Sequence, residues 1–339
     1  MPTQSEIARD AGCSTATVSR ALAGDPRISY ATRARIEEVA VRLGYFDRAY
    51  RYSTKKGQSG VIGLVVPTIS PTTRYEDASL LHDLLAHEGY RIMLCVNHQS
   101  AAEDGRLLRS LILQPVDGII HVPCTPDGAE THYKGDLPVP VIELGARTSS
   151  KVLDTVSLDD SNAVSEIVNH LVRLNHRRIA MFTGPQELYQ VQSCAEAFSW
   201  ATNHYGLRKR ECQTLFGAPS VQWARKEAMN LLDSPQRPTA MIAANNTSAI
   251  GILLAAKELG AAIPRDLSVV GFSEEDWHAI TETPLTSYEH PVSEMGMMAA
   301  QLLLRRLRPA PGEDEEPRTV RFGGRLIQRG STAPPGLAD

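Results

Sequence analysis

The chain has 339 residues, and no apolar run in it approaches the ~20 residues needed to cross a bilayer. Its N-terminus, MPTQSEIARDAG, lacks a basic stretch followed by an apolar core. No secretory leader or membrane partner is therefore expected, and the cytoplasm is the expected compartment. The five cysteines, Cys13, Cys95, Cys124, Cys194 and Cys212, show no CxxC spacing and sit beside no histidine cluster. That excludes a recognisable zinc site or disulfide framework and leaves small buried hydrophobes in a reducing compartment as the plain reading. There is no P-loop, no GxSxG, no HExxH and no paired-acid arrangement, so no catalytic residue, metal or cofactor is expected. With 42% hydrophobic and 22% charged residues, the balance is too ordinary for wholesale disorder.

A net charge of −4 is no sign of a nucleic-acid partner, but its distribution is uneven. Residues 1–60 hold ten Lys/Arg against six Asp/Glu, a net of +4, and the remainder carries −8. A small basic head on an acidic body is what a module docking on phosphates would show.

Within that head, QSEIARDA at 4–11 places Ile7, Ala8 and Ala11 on one helical face, and Gly12 ends the helix at little cost. Ser14 is a good N-cap for a second helix, Thr15 to about Ala23, with Val18, Ala21 and Leu22 inward. Gly24 and Pro26 close it. A third helix runs from about Tyr30 or Ala31 to Leu43, with Ala34, Ile36, Val39, Ala40 and Leu43 inward and Gly44 as its stop. Two short helices joined by a tight Gly-containing turn form a helix-turn-helix. The exposed start of the second helix is small and hydroxylated: Ser14, Thr15, Ala16, Thr17 and Ser19. Such residues let the backbone approach DNA and offer hydroxyls to phosphate oxygens. Arg20, one turn beyond Ala16, has the reach for a bidentate pair with guanine. A generic three-helix bundle with a Ser/Thr-rich surface is the plainer alternative.

Residues 5–46 resemble the headpiece of the LacI/GalR family of transcriptional regulators, carried by ATVSR at Ala16–Arg20 and LGY at Leu43–Tyr45. The resemblance implies that Thr15, Ala16 and Arg20 read bases. It implies that Ser14, Thr17, Ser19, Ser29 and Tyr45 meet phosphates or groove walls. In the family the next segment is a hinge helix that wedges a leucine into the minor groove. Here Thr54 stands at the wedge position, and Asp47-Arg48 replaces a Pro-Asn opening. Either Tyr50 or Tyr52 substitutes, or the hinge binds without intercalating, or the segment is a basic flexible linker. Arg48, Arg51 and Lys55 remain available for phosphate neutralisation.

After residue 60 the pattern changes to apolar strands alternating with helices, which means parallel sheets flanked by helices. Val61–Val66, Arg91–Val96, 117–122 and 139–144 are strands, with helices over about 75–88 and 102–114. The pattern restarts with helix 161–174 and strands at 178–183, 240–243 and 267–272, with helices near 190–205, 221–233 and 246–259. A further helix, 293–306, has Met295, Met298, Leu302 and Leu303 on one side. The expected fold is an all-α helix-turn-helix headpiece plus an α/β body of two doubly wound parallel-sheet lobes, like the periplasmic binding proteins. The expected division is a headpiece at 1–46, a hinge or linker at 47–60, a body at 61–332 and a tail at 333–339. Within the body, the N-lobe takes about 61–159 and 289–320, and the C-lobe about 160–288 and 321–332. Family-like strings such as 176–180, 266–272 and 329–332 extend the resemblance to nearly the whole chain.

Ligands bind such folds at the carboxyl ends of the strands. By resemblance, sugar-binding members place an Arg four residues before an aromatic; here Cys194 precedes Phe198. The family's Asn-Asp is Asn245-Asn246, and Gly145 stands where an acid follows the strand. Asn246 is expected to hydrogen-bond an effector, and Tyr75, Tyr189 and Trp277 to border the cleft. The implied effector is a small molecule, a sugar or sugar derivative or something less charged and less sugar-like. The implied assembly is a homodimer on a pseudo-palindromic operator in double-stranded DNA. An enzyme with an appended DNA-binding domain and a solute-uptake protein are the alternatives. Asp159-Asp160 and Glu274-Glu275-Asp276 read as solvated loop acids.

Overall fold

Local capping chemistry sets the first three helices. The computed structural model describes residues 3–22, 25, 27–43, 45, 59–67, 75–124, 138–145, 152–309 and 316–336. The hinge positions Arg48, Tyr50, Arg51, Tyr52, Thr54 and Lys55 lie outside the described residues. Helix α1 (Gln4–Asp10) begins in a capping box: Thr3 accepts from the Glu6 amide, and the Glu6 carboxylate accepts from the Thr3 N–H at 2.6 Å. Gly12, at φ +62°, ends it. Helix α2 (Thr15–Leu22) starts where the Thr17 N–H donates to Ser14 Oγ at 3.1 Å. Helix α3 (Tyr30–Arg42) starts where Thr32 N–H donates to Ser29 Oγ at 3.3 Å. Ile7, Val18, Ile36 and Ala40 form the core between them, with Tyr45 packed on its edge.

The body is two sheets. In chain order the first stretch runs β1 (Val61–Val66), α4 (Tyr75–His87), β2 (Arg91–Val96), α5 (Ala101–Leu113), β3 (Gly118–His121), β4 (Val141–Leu144) and β5 (Asp154–Leu158). The second runs α6 (Asp160–Arg173), β6 (Ile179–Phe182), α7 (Tyr189–His204), β7 (Cys212–Leu215), α8 (Val221–Leu232), β8 (Ala240–Ala243), α9 (Asn246–Glu258), β9 (Ser268–Gly271), α10 (Trp277–Ile280) and β10 (Thr286–Glu289). Helix α11 (Val292–Leu307) and strands β11 (Thr319–Phe322) and β12 (Arg325–Ile327) complete both. The first sheet has the order β11-β5-β4-β3-β1-β2, parallel throughout. The second has the order β12-β10-β9-β8-β6-β7, parallel except for β12. The chain crosses between sheets three times, near 158–160, 289–292 and 322–325.

Strand side chains alternate between faces, so each sheet builds two cores. In β6, Ile179 and Met181 pack with α6 and α7, and Ala180 and Phe182 with α8 and α9. In the first sheet, Ile62 and Leu64 pack with Leu81, Leu85 and Leu303, and Val65 with Leu108 and Leu111. Of the α4 leucines read as inward, Leu81 and Leu85 are buried and Leu80 and Leu84 half-buried. Helix α11 returns to the first lobe, where Arg306 holds the buried Asp154 through two bonds of 2.7 and 2.9 Å. Residues 331–333 are bonded into the second lobe: Ser331 Oγ donates to Val269 O at 2.6 Å, and Ser268 Oγ to Ala333 O at 3.1 Å.

Helices α8 and α9 approach closely at Gly251. A Cβ there would lie 2.6 Å from Ala224 Cβ and 2.7 Å from the Arg225 nitrogen.

The first lobe also holds a buried cluster of titratable groups. His121 Nε2 lies 3.0 Å from both Asp104 carboxylate oxygens, and its Nδ1 lies 3.8 Å from Glu143 Oε1. Asn97 Nδ2 donates to Asp104 Oδ1 at 2.7 Å. Burial disfavours the imidazolium, but the Asp104 and Glu143 carboxylates outweigh it and raise the His121 pKa.

The head also touches the body. Arg109 on α5 donates to Tyr30 Oη at 2.5 Å, stacks over that ring at 5.8 Å, and lies 3.9 Å from Glu37.

Gly251→Ala should cost roughly 1–3 kcal/mol, read as a lower urea midpoint, because the facing atoms are backbone and a methyl with nowhere to go. His121→Leu should cost about 3–5 kcal/mol, because it removes the buried imidazole that pairs with Asp104 and stands beside Glu143. The His121 contribution is fully present below the ordinary imidazole value of 6.5 and is lost as pH rises through the raised folded value. Urea midpoints measured across that range should fall in the wild type. An unchanged slope in Asp104→Asn would remove the pair as its source.

Candidate functional site

The site in the head is one face of α2. Val18 and Ala21 point into the three-helix core, which turns Ser14, Thr15, Ala16, Ser19 and Arg20 outward, all exposed, with Thr17 half-buried. The Ser14 and Thr17 hydroxyls lie 2.8 Å apart, so both help to build the helix start that they decorate. Ser29 and Thr32 repeat this at α3, also at 2.8 Å. Ser29 is exposed, and Tyr45 is half-buried against the core.

Sequence reasoning missed how the turn before α3 is held. Arg27 donates to Asp25 through its backbone N–H at 3.0 Å and its guanidinium at 2.6 Å, and Arg33 donates to the Asp25 carbonyl at 2.6 Å. The Arg27 guanidinium holds the Asp25 carboxyl below its ordinary range. An Asp two residues before an Arg was the available signal.

The second site lies between the lobes. The carboxyl ends of both sheets line a cavity of about 570 Å³. Val66, Val122, Cys124, Leu144 and Leu158 come from the first lobe; Thr183, Ala244, Asn245 and Phe272 come from the second. The crossing segments add Asp160, His290 and Val292. Cys124 joins the cavity to the buried cluster behind it: burial first, and the Asp104 charge next, push its thiol up to about 12.

Of the residues expected here, Cys194 lines the cavity. Asn246 is not among the lining residues; its Nδ2 donates to Glu275 Oε1 at 2.7 Å, and its Oδ1 accepts from Ser273 Oγ at 3.0 Å. The neighbouring Asn245 lines the cavity instead, and its Oδ1 caps α9 by accepting from the Ser248 N–H at 2.8 Å. Trp277 also lies off the lining: it packs against the second-lobe core, edge-on to His278 at 4.2 Å. Asn246 and Trp277 thus stand off the lining of this cavity. Tyr75 and Tyr189 open α4 and α7, and their side chains lie outside the described residues.

The acids read as solvated are largely structural. Asp159 Oδ1 caps α6, accepting from the Asn162 N–H at 3.0 Å. Glu274 takes both Arg329 terminal nitrogens, at 3.0 and 2.5 Å, and accepts from Ser287 Oγ. Burial raises the Glu274 pKa, but Arg329 and Ser287 outweigh it and leave it lowered. Among the described residues no group of three His, Cys, Asp or Glu could hold a metal ion. No described helix is long and apolar enough to cross a membrane.

Comparison with known proteins agrees with this geometry. Residues 3–47 match the description of bacterial regulatory proteins of the lacI family, and residues 168–332 match a periplasmic binding protein-like domain. The transcriptional regulator reg1 of Streptomyces lividans is 31% identical, over 97% of this chain and 96% of its own length. The transcriptional repressor CytR of Escherichia coli K12 is 30% identical over the same shares. A LacI family regulator from Enterococcus faecium, solved with bound ribose, superposes with a TM-score of 0.68 at 26% identity, covering 81% of this chain and 99% of its own. With a helix-turn-helix head, two parallel-sheet lobes and relatives matched along nearly its whole length, the chain belongs to the LacI family of DNA-binding transcriptional regulators.

Proposed function

We propose that two copies of this chain bind a pseudo-palindromic operator in double-stranded DNA, each setting α2 in the major groove of one half-site. The observation that carries this reading is the exposed, hydroxyl-rich face of α2 ending in Arg20, opposite a buried Val18 and Ala21. Thr15, Ala16 and Arg20 read base edges. Ser14, Thr17, Ser19, Ser29 and Tyr45 hold the backbone, and Arg48, Arg51 and Lys55 neutralise phosphates between head and body. Pairing two heads multiplies an affinity that one small module lacks. The body domain is the regulatory part. A small-molecule effector in the interlobe cavity binds the two lobe arrangements unequally, and so alters the spacing of the heads and the affinity for the operator. Repression is the proposed outcome, as for the relative named a repressor. The domain limits read from the sequence serve this scheme, with 47–60 joining reader to regulator.

Selection of bound duplexes from a random pool, repeated with a panel of metabolites, tests the scheme. It should return a two-fold symmetric site whose recovery changes with one metabolite. Arg20→Ala should erase about 1–3 kcal/mol of discrimination at one position of each half-site. Lys55→Ala should weaken all sequences alike and flatten the salt dependence by about one unit of slope. An unchanged selectivity ratio in Arg20→Ala would mean that another surface reads the DNA.

A further inference from the structure

Two residues on one face of α3 meet a single arginine of the body. We propose that Arg109 is a positioning residue for DNA binding: it clasps Tyr30 and Glu37, and so sets the direction in which the reading face of α2 points from the body. This rests on the reading above that α2 meets the DNA. It adds a fixed point between head and body besides the chain that joins them.

On the head, Tyr30 and Glu37 lie seven residues apart, about two turns, and share one face of α3. Neither belongs to the core that Ile36, Val39 and Ala40 form with α1 and α2. Tyr30 is the first residue of α3 and is 61% exposed, a large ring offered at the surface. Glu37 is the opposite case, with a side chain only 14% exposed. Burial pushes its carboxyl up, and the charges of Arg109 and then Arg33 oppose that. Arg33 sends its guanidinium to the Asp25 carbonyl at 2.6 Å. Among the described residues, the cation in ion-pair range of Glu37 is Arg109, at 3.9 Å.

On the body, Arg109 projects from an anchored helix. Its neighbours Leu108, Leu111 and Ile112 on α5 are buried in the first lobe. The guanidinium donates to Tyr30 Oη at 2.5 Å and lies 5.8 Å from the centre of that ring. One planar cation thus makes a hydrogen bond, a cation–π contact and an ion pair. Each alone is weak at a surface. Together they hold α3 at two places roughly 10 Å apart along its axis, which opposes the rotation that one contact would allow.

The clasp leaves the reading face open. Ser14, Thr15, Ala16, Ser19 and Arg20 are all exposed with the head in this position. A head held on α3 therefore presents α2 instead of covering it. A head that is already oriented loses less freedom on meeting its half-site, and the operator is bound more tightly for it.

The test is operator binding by the full-length chain across a salt series, with the duplex returned by the selection above. Arg109→Ala and Glu37→Gln should each weaken binding roughly three- to tenfold, with the preferred bases unchanged. The Glu37→Gln result is the sharper one: it removes a negative charge from the head, which by simple attraction to phosphates would strengthen binding. The charge-exchanged pair Arg109→Glu with Glu37→Arg should regain most of the loss, and circular dichroism checks that each variant is folded. Wild-type or tighter binding by folded Glu37→Gln overturns the proposal, as does an exchanged pair no better than the single variants. A salt slope flattened by about one unit in Arg109→Ala would make Arg109 a phosphate contact and overturn it too. Arg20→Ala keeps the two readings apart. If its selectivity is unchanged while the Arg109 series behaves as expected, the clasp stands and orients another face of the head. If Arg20→Ala loses selectivity and the Arg109 series binds as wild type, the clasp alone fails.

Discussion

Three crossings of the chain between two sheets govern the geometry of the body. A lobe attached by one strand of chain could swing in any direction. Three crossings side by side leave a hinge-like motion as the easy one. They also explain what lies at the bottom of the cavity. Asp160 follows the first crossing, and His290 and Val292 belong to the second. Anything bound there touches the hinge as well as the walls, and it cannot favour one lobe angle without meeting the segments that set it.

Burial in this molecule follows two different rules on the two sides of one wall. Behind it, Asp104, His121, Glu143 and Asn97 are buried together, with Asp104 bonded to both His121 and Asn97. Such a group is tolerated only while its members stay paired. In front of it, the cavity is lined largely by hydrocarbon. Cys124 marks the boundary, a thiol whose proton is held firmly by burial and by the neighbouring carboxylate.

What the sequence discloses depends on how local the cause is. The head was legible because its signals act within four residues: Ile7 with Ala11, Ser14 as the cap of α2, Gly12 at a positive φ. Strands β1, β6, β8 and β9 were legible as apolar runs buried on both faces. Strands β5, β7, β10 and β12 were not, because DTVSL, CQTL, TSYE and RLI are short and interrupted by polar residues. They are strands because a neighbour offers them a ladder. The cavity was the least legible part. Its lining comes from the ends of many elements, so a shift of one residue decides who faces in. Asn245 lines it and Asn246 does not; Cys194 lines it and Trp277 turns into the core. The pairing of Asp104 with His121, and of Arg329 with Glu274, joins residues far apart in the chain and leaves no local trace.

The far end of the chain carries a cost that appears during synthesis. Strand β11 completes the first sheet, β12 the second, and residues 331–333 bond into the second lobe behind it. All three are made after nearly everything else. The head, which draws its core from residues 7–45, is complete early, as segments leaving the ribosome first fold first. Neither lobe can finish until translation has passed residue 319. Until then the edges of β5 and β10 stand open, the kind of bare strand that invites misassembly. A premature stop a few dozen codons short would thus release a finished head on a body with both halves incomplete.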